Sequence, residues 1–111
     1  MNVQHRNLAA GRWQQMGFLE QMANIGSEVE RAMHWRRQEN PDYAEKALVR
    51  ALELLGLTIA DLKNRRRLKE LLRVREALLD YFFADNQFGS SDELWHNYFY
   101  AFACAARRAR A

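Results

Sequence analysis

The residues of this chain that are suited to catalysis or metal binding are few and poorly spaced for either chemistry. Glu93 and His96 have the Glu-x-x-His spacing of di-iron helical bundles. Such a site needs a second copy of the motif and two further inward-facing glutamates, and the sequence has no second copy. His5 and His34 share no metal-binding spacing, and Cys104 has no identifiable base to activate its thiol. We therefore expect no bound metal, no cofactor and no catalytic residue.

Arg75 is the most unusual charged residue, because a helical wheel places it in the middle of an apolar stripe. The other members of this predicted stripe are Leu68, Leu71, Leu72, Leu78, Leu79 and Phe82. A buried guanidinium without a partner is expensive, so we expect a hydrogen bond within the protein, with Glu28 as the preferred partner. The alternatives are an apolar stem that extends to solvent and a carboxylate or other anion supplied by a ligand or partner.

Positive charge is concentrated in the N-terminal half of the predicted third helix, and negative charge in its C-terminal half. This order opposes the helix dipole by tenths of a kcal/mol per charge. Arg66, Lys69 and Arg73 share an outward side, and with Arg75 they are the candidate contacts for an anion or a nucleic acid. The alternative is a solvated side with local ion pairs, of Arg66 with Glu70 and of Arg73 with Glu76 or Asp80.

The predicted fourth helix is the candidate partner-binding element, because residues 94–106 are apolar nearly all round. A helix of this kind is buried on more than one side. In so small a protein we expect the second neighbour to be another copy of the chain. The candidate partner-binding residues are Trp95, Tyr98, Phe99 and Tyr100, which include interface-favouring aromatic types. The alternative is that Tyr100 simply lies on the surface.

Four predicted helices position these residues. The first covers residues 12–38 and continues through Gly26, and the second begins at Asn40-Pro41, a good cap followed by a favoured first residue. Gly56 either ends the second helix or loosens its last turn, with Thr58 capping a short extra turn. The third helix covers 64–84. The fourth covers 91–108 and opens on the capping-box pair Ser90 and Glu93.

Composition fixes the fold class. The chain has 111 residues, one proline and five glycines, with few β-branched residues, which favours helix throughout. We predict an all-α, antiparallel four-helix bundle forming a single domain over 1–111, with 1–11 flexible. No apolar run has the length of a membrane span, and the lone Cys104 is typical of the reducing cytoplasm.

The stretch 28–55, a long helix followed by Tyr43-Ala44-Glu45-Lys46-Ala47, resembles small bacterial four-helix proteins of the HEPN and nucleotidyltransferase-substrate-binding type. Ribonucleases of that group carry an arginine followed after four to six residues by a histidine. No arginine here has a histidine at that distance, and Arg31 and His34 are too close together. The resemblance therefore implies a helical dimer that works with a partner protein, and it implies no nuclease activity.

Together these patterns predict a non-enzymatic helical protein-interaction module. We expect a homodimer, with a heterologous protein partner as a further option, in the cytoplasm and without membrane contact. The net charge of +3 is too small to indicate nucleic acid by itself. The alternative function is a nucleic-acid-associated protein that uses the basic half of the third helix.

Overall fold

The computed structural model describes residues 11–110, and over this range the chain is all-α, with no strand among the described residues. Four α-helices are present in this part of the chain. They are α1 at Phe18–Arg37, α2 at Pro41–Ala60, α3 at Leu68–Phe83 and α4 at Asp92–Arg110. Short 3-10 helices at Trp13–Gln15 and Leu62–Arg67 precede α1 and α3. The predicted all-α class is confirmed, while the predicted flexible segment 1–11 lies outside the described residues except for Gly11.

Helix α1 runs without a break through Gly26 and Ser27, as predicted from the sequence. It begins later than predicted because the backbone at Gly17 is extended. At Gly26 the helix packs closely against α4. A Cβ atom placed there would lie only 2.6 Å from the Cβ of Phe99, so the absence of a side chain permits the two helices to approach.

Helix α2 begins at the predicted boundary. The side chain of Asn40 accepts a hydrogen bond from the Tyr43 amide at 3.1 Å, and Pro41 is the first helical residue. The helix does not end at Gly56, and the predicted extra turn is part of α2. Thr58, the predicted cap of that turn, lies inside the helix and is fully buried.

Helix α3 is rotated relative to the prediction, so that Arg75 faces solvent. Its buried positions are Leu71, Val74 and Leu78. Arg75 is exposed and forms no hydrogen bond or ion pair with another residue in the described range, and the expected partner Glu28 pairs with Arg31 at 3.4 Å instead. The predicted burial of Arg75 is therefore wrong. Burying Val74 in its place leaves the guanidinium hydrated and avoids its desolvation cost.

The connection between α3 and α4 is held by side-chain caps. The carboxylate of Asp80 accepts hydrogen bonds from the amides of Gln87 and Phe88 at 2.9 and 3.0 Å. Ser91, rather than the predicted Ser90, caps α4, and its hydroxyl accepts from the amide three residues later at 3.0 Å. The fourth helix therefore begins one residue later than predicted.

The core receives side chains from all four helices and from the first 3-10 helix. Its largest fully or nearly fully buried members include Trp13, Met22, Ile25, Met33, Leu55, Leu71, Leu78, Trp95 and Phe99. Because these residues fix the rotation of each helix, they also determine which side chains the helices present to solvent.

Candidate interaction surface

The outer side of α3 carries a line of exposed, mainly apolar side chains, which we name the α3 stripe. It consists of Leu68, Leu72, Arg75, Leu79 and Phe83. Leu68 and Leu72 are 40% and 42% exposed, Leu79 is 37% exposed and Phe83 is 55% exposed. Steps of four, three, four and four residues place all five on one side of the helix. Single exposed leucines are ordinary, whereas larger contiguous apolar patches are typical of interaction sites.

The stripe exists because α3 is apolar on two adjacent sides. One side, with Leu71, Val74 and Leu78, fills the core. The second side remains in water because the other three helices do not cover it. The stripe predicted from the sequence mixed members of both sides, since periodicity within one helix does not reveal which part of a wide apolar arc its neighbours cover.

Charged side chains border the stripe along one edge. Lys69 and Arg73 lie in its N-terminal half, and Glu76 and Asp80 lie in its C-terminal half. At 100° per residue these four fall within a narrow arc beside the leucines. Arg73 and Glu76 are both exposed, and neither forms an ion pair with any residue that the structure describes. The alternative of a local pair between Arg73 and Glu76 or Asp80 is therefore not observed among the described residues.

The predicted anion contacts all have exposed or solvent-facing charges. They are Arg66, Lys69, Arg73 and Arg75. Arg66 lines a cleft together with Arg67 and Arg110, so the fold brings the basic run close to the basic C-terminal end of α4. Part of this charge is neutralised, because Arg67 pairs with Glu70 at 3.4 Å and Arg110 with Glu20 at 3.6 Å. Glu70 thus pairs with Arg67 and not with Arg66, its partner in the alternative of local ion pairs.

The four α4 residues predicted to bind a partner do not share one surface. Trp95 and Phe99 are 4% and 3% exposed and belong to the core. Tyr98 is partly buried, and its hydroxyl donates to Oε2 of Glu70 at 2.7 Å. Burial and this carboxylate raise the pKa of Tyr98, so the phenol stays protonated. Of the four, Tyr100 is the one whose side chain is mostly exposed, at 52%.

Asp92 joins the ends of three helices, and sequence reasoning missed it. Its carboxylate accepts from the Tyr81 hydroxyl at 2.7 Å and from Arg37 at 2.8 Å. Arg36 lies 3.4 Å from the same carboxylate, and its guanidinium lies 4.5 Å from the centre of the Phe82 ring. Partial burial opposes ionisation, but the hydrogen bonds from Tyr81 and Arg37 outweigh it and lower the pKa of Asp92. The cluster is structural, since it holds α1, α3 and α4 together.

A second polar network is buried beside the 3-10 helices. Nε1 of Trp13 donates to the Thr58 hydroxyl at 3.1 Å, and Nδ2 of Asn64 donates to Oε1 of Gln21 at 2.8 Å. Gln21 also donates to the Asp61 carboxylate at 3.1 Å. The network attaches the segment before α1 to the connection between α2 and α3. No local pattern reveals it, because Trp13 and Thr58 are 45 positions apart.

The structure adds no catalytic or metal-binding arrangement in the described range. No group of three histidine, cysteine, aspartate or glutamate side chains between residues 11 and 110 is placed to hold a metal ion. His96 lies 2.6 Å from Glu30 rather than beside Glu93. Hydrogen bonds from Tyr100 and then from Arg107 lower the pKa of the Cys104 thiol, but a lone thiol of this kind does not define a site.

No model of a known protein family matches this chain, and no curated protein or solved structure matches it either. None of the described helices combines the length and the apolar character needed to cross a bilayer.

Proposed function

We propose that this protein is a non-enzymatic helical interaction module that binds another protein chain through the α3 stripe. The exposure of Leu68, Leu72, Leu79 and Phe83 along one side of one helix carries this proposal. Removing apolar surface from water contributes about 25 cal/mol per Å², so covering this line favours association. The same residues lie outside the clusters of core side chains.

We also propose that the four helices form an antiparallel bundle in a reducing, cytoplasmic setting. Only three residues, 38–40, separate α1 from α2, and short connections favour antiparallel neighbours. The lone Cys104 supports the reducing setting. The resemblance to HEPN-type proteins remains a prediction that agrees with a helical module acting on a partner.

Site-specific photo-crosslinking tests the interaction proposal. A benzophenone amino acid replaces Leu72 in the stripe or, as a matched control, Lys46 on the exposed side of α2. We expect a discrete crosslinked species of higher mass from position 72 in cells and none from position 46. Equal labelling from both positions, or none from position 72, argues against the stripe as a binding surface.

Nucleic-acid binding is the second candidate, and the cleft that Arg66 and Arg110 share supports it. Fluorescence anisotropy with generic RNA and DNA oligonucleotides, measured over a salt series, separates it from protein binding. A steep loss of affinity with salt is the signature of phosphate contacts. Affinity that is also lost in Arg66→Ala and Arg110→Ala but kept in Leu72→Gln supports this candidate, and no binding at low salt rejects it.

A further inference from the structure

We infer that the partner of the α3 stripe is a second copy of this chain, with the two α3 helices antiparallel across a twofold axis near Arg75. The inference rests on the proposed interaction function and names its partner. It moves the predicted homodimer contact from α4 to α3. The grounds are the apolar stripe, the order of the charges beside it, and the absence of an ion pair for Arg73 or Glu76 among the described residues.

The charges beside the stripe of one copy complement those of a second copy only when the two α3 helices are antiparallel. In an antiparallel pair, the basic half of each α3 lies next to the acidic half of the other. Arg73 then comes level with Glu76 of the second copy, and Lys69 comes level with Asp80 of the second copy. A parallel twofold pair places the two charged edges on opposite sides of the seam, so it gains no such pairing. The antiparallel contact also explains why α3 keeps cations near its N-terminus against the dipole preference.

The apolar residues fit the same axis. When the twofold lies near Arg75, Leu72 of one copy comes level with Leu79 of the other, and Leu68 comes level with Phe83 of the other. Each apolar side chain therefore meets another apolar side chain, as a self-complementary twofold contact requires. One helix face is smaller than a standard protein interface, so we expect association in the micromolar range.

Arg75 has a defined role in this arrangement. Its position near the axis brings the two guanidinium groups of the dimer close together at the centre of an otherwise apolar stripe. A single polar residue in an apolar seam sets register and limits stability. Arg75 therefore weakens the dimer, and Arg75→Met, which keeps an apolar stem and removes the charge, tightens it.

Sedimentation equilibrium over a micromolar concentration series tests the inference directly. The parent chain should approach twice its 13.1 kDa mass. Leu72→Gln should raise the dimer dissociation constant by about tenfold, since each dimer loses two leucine contacts. Tyr100→Glu on α4 is the matched control and should leave the dissociation constant unchanged. Thermal melts should show both variants folded, because both positions are exposed.

A charge-reversal cycle tests the orientation. Arg73→Glu and Glu76→Arg, made singly, should each weaken the dimer by about fivefold, because each places like charges opposite one another. The double variant should regain most of the parent affinity. Rescue of dimerisation by the double variant indicates that Arg73 of one copy contacts Glu76 of the other. A pair formed only within one helix would not change the dissociation constant of the dimer.

Three outcomes overturn the inference. They are a parent chain that stays monomeric at every concentration, a dimer that only Tyr100→Glu dissociates, and single charge reversals that the double variant fails to rescue. A monomeric chain that still crosslinks to another protein through position 72 overturns the second-copy inference and leaves the proposed interaction function standing.

Discussion

At the scale of single residues, the stability of Arg75 variants distinguishes the observed rotation of α3, with Arg75 exposed, from the predicted rotation, with Arg75 buried. Because it is exposed and unpaired within the described residues, Arg75→Ala and Arg75→Met should both change the free energy of unfolding by no more than about 0.5 kcal/mol. A buried arginine predicts instead a much less stable alanine variant, with methionine partly rescuing it. Thermal or urea melts decide between them, at protein concentrations low enough that dimerisation adds nothing. A large loss in the alanine variant alone contradicts the observed rotation of α3.

The contacts of individual side chains were the least predictable part of the candidate site. Tyr98 was grouped with Tyr100 as a partner contact, yet Tyr98 bonds to Glu70, 28 positions away, while Tyr100 is mostly exposed. The bond between Asp92 and Arg37 spans 55 positions. The type of a residue indicates which kind of contact an aromatic or acidic side chain can make. The partner in that contact depends on how the helices are rotated against one another.

At the scale of helices, the sequence predicted correctly those features of a helix that depend on residues close together in the chain. The Asn40 cap and the continuity of α1 through Gly26 were both correct. The sequence left the end of α2 open at Gly56, and the helix continues through it because buried side chains such as Leu55 and Thr58 hold the last turns in place on either side. The rotation of α3 was missed for a related reason, since its apolar arc is wider than the area its neighbours cover.

The two helix-interior glycines provide an element-scale prediction. Gly26→Ala introduces a Cβ 2.6 Å from the Phe99 Cβ and should destabilise the protein by about 1–3 kcal/mol, the range for overpacking. Gly56→Ala meets no atom within 4 Å and should stabilise it by about 0.4–1 kcal/mol. Urea unfolding of both variants measures the difference. Equal stabilisation at the two positions excludes the close approach of α1 and α4.

At the scale of the whole molecule, Asp92 links α1, α3 and α4 and should make the free energy of unfolding depend on pH in the acid range. The fold lowers its pKa, so the unfolded state binds more protons in the acid range. Its contribution is therefore fully present above the ordinary aspartate pKa of about 3.9 and is lost as the pH falls through the lowered value.

Asp92→Asn should lower the free energy of unfolding by about 1 kcal/mol or more at neutral pH, and this loss should shrink towards zero in strong acid. Urea unfolding of parent and variant at neutral pH and in strong acid, at about pH 2, measures the change. The exposed Asp85→Asn is the control, since it alters the same charge count without touching the cluster. A cost that is the same at both pH values shows instead that Asp92 acts by packing and neutral hydrogen bonding, and that the charges of Arg36 and Arg37 do not hold the three helix ends together.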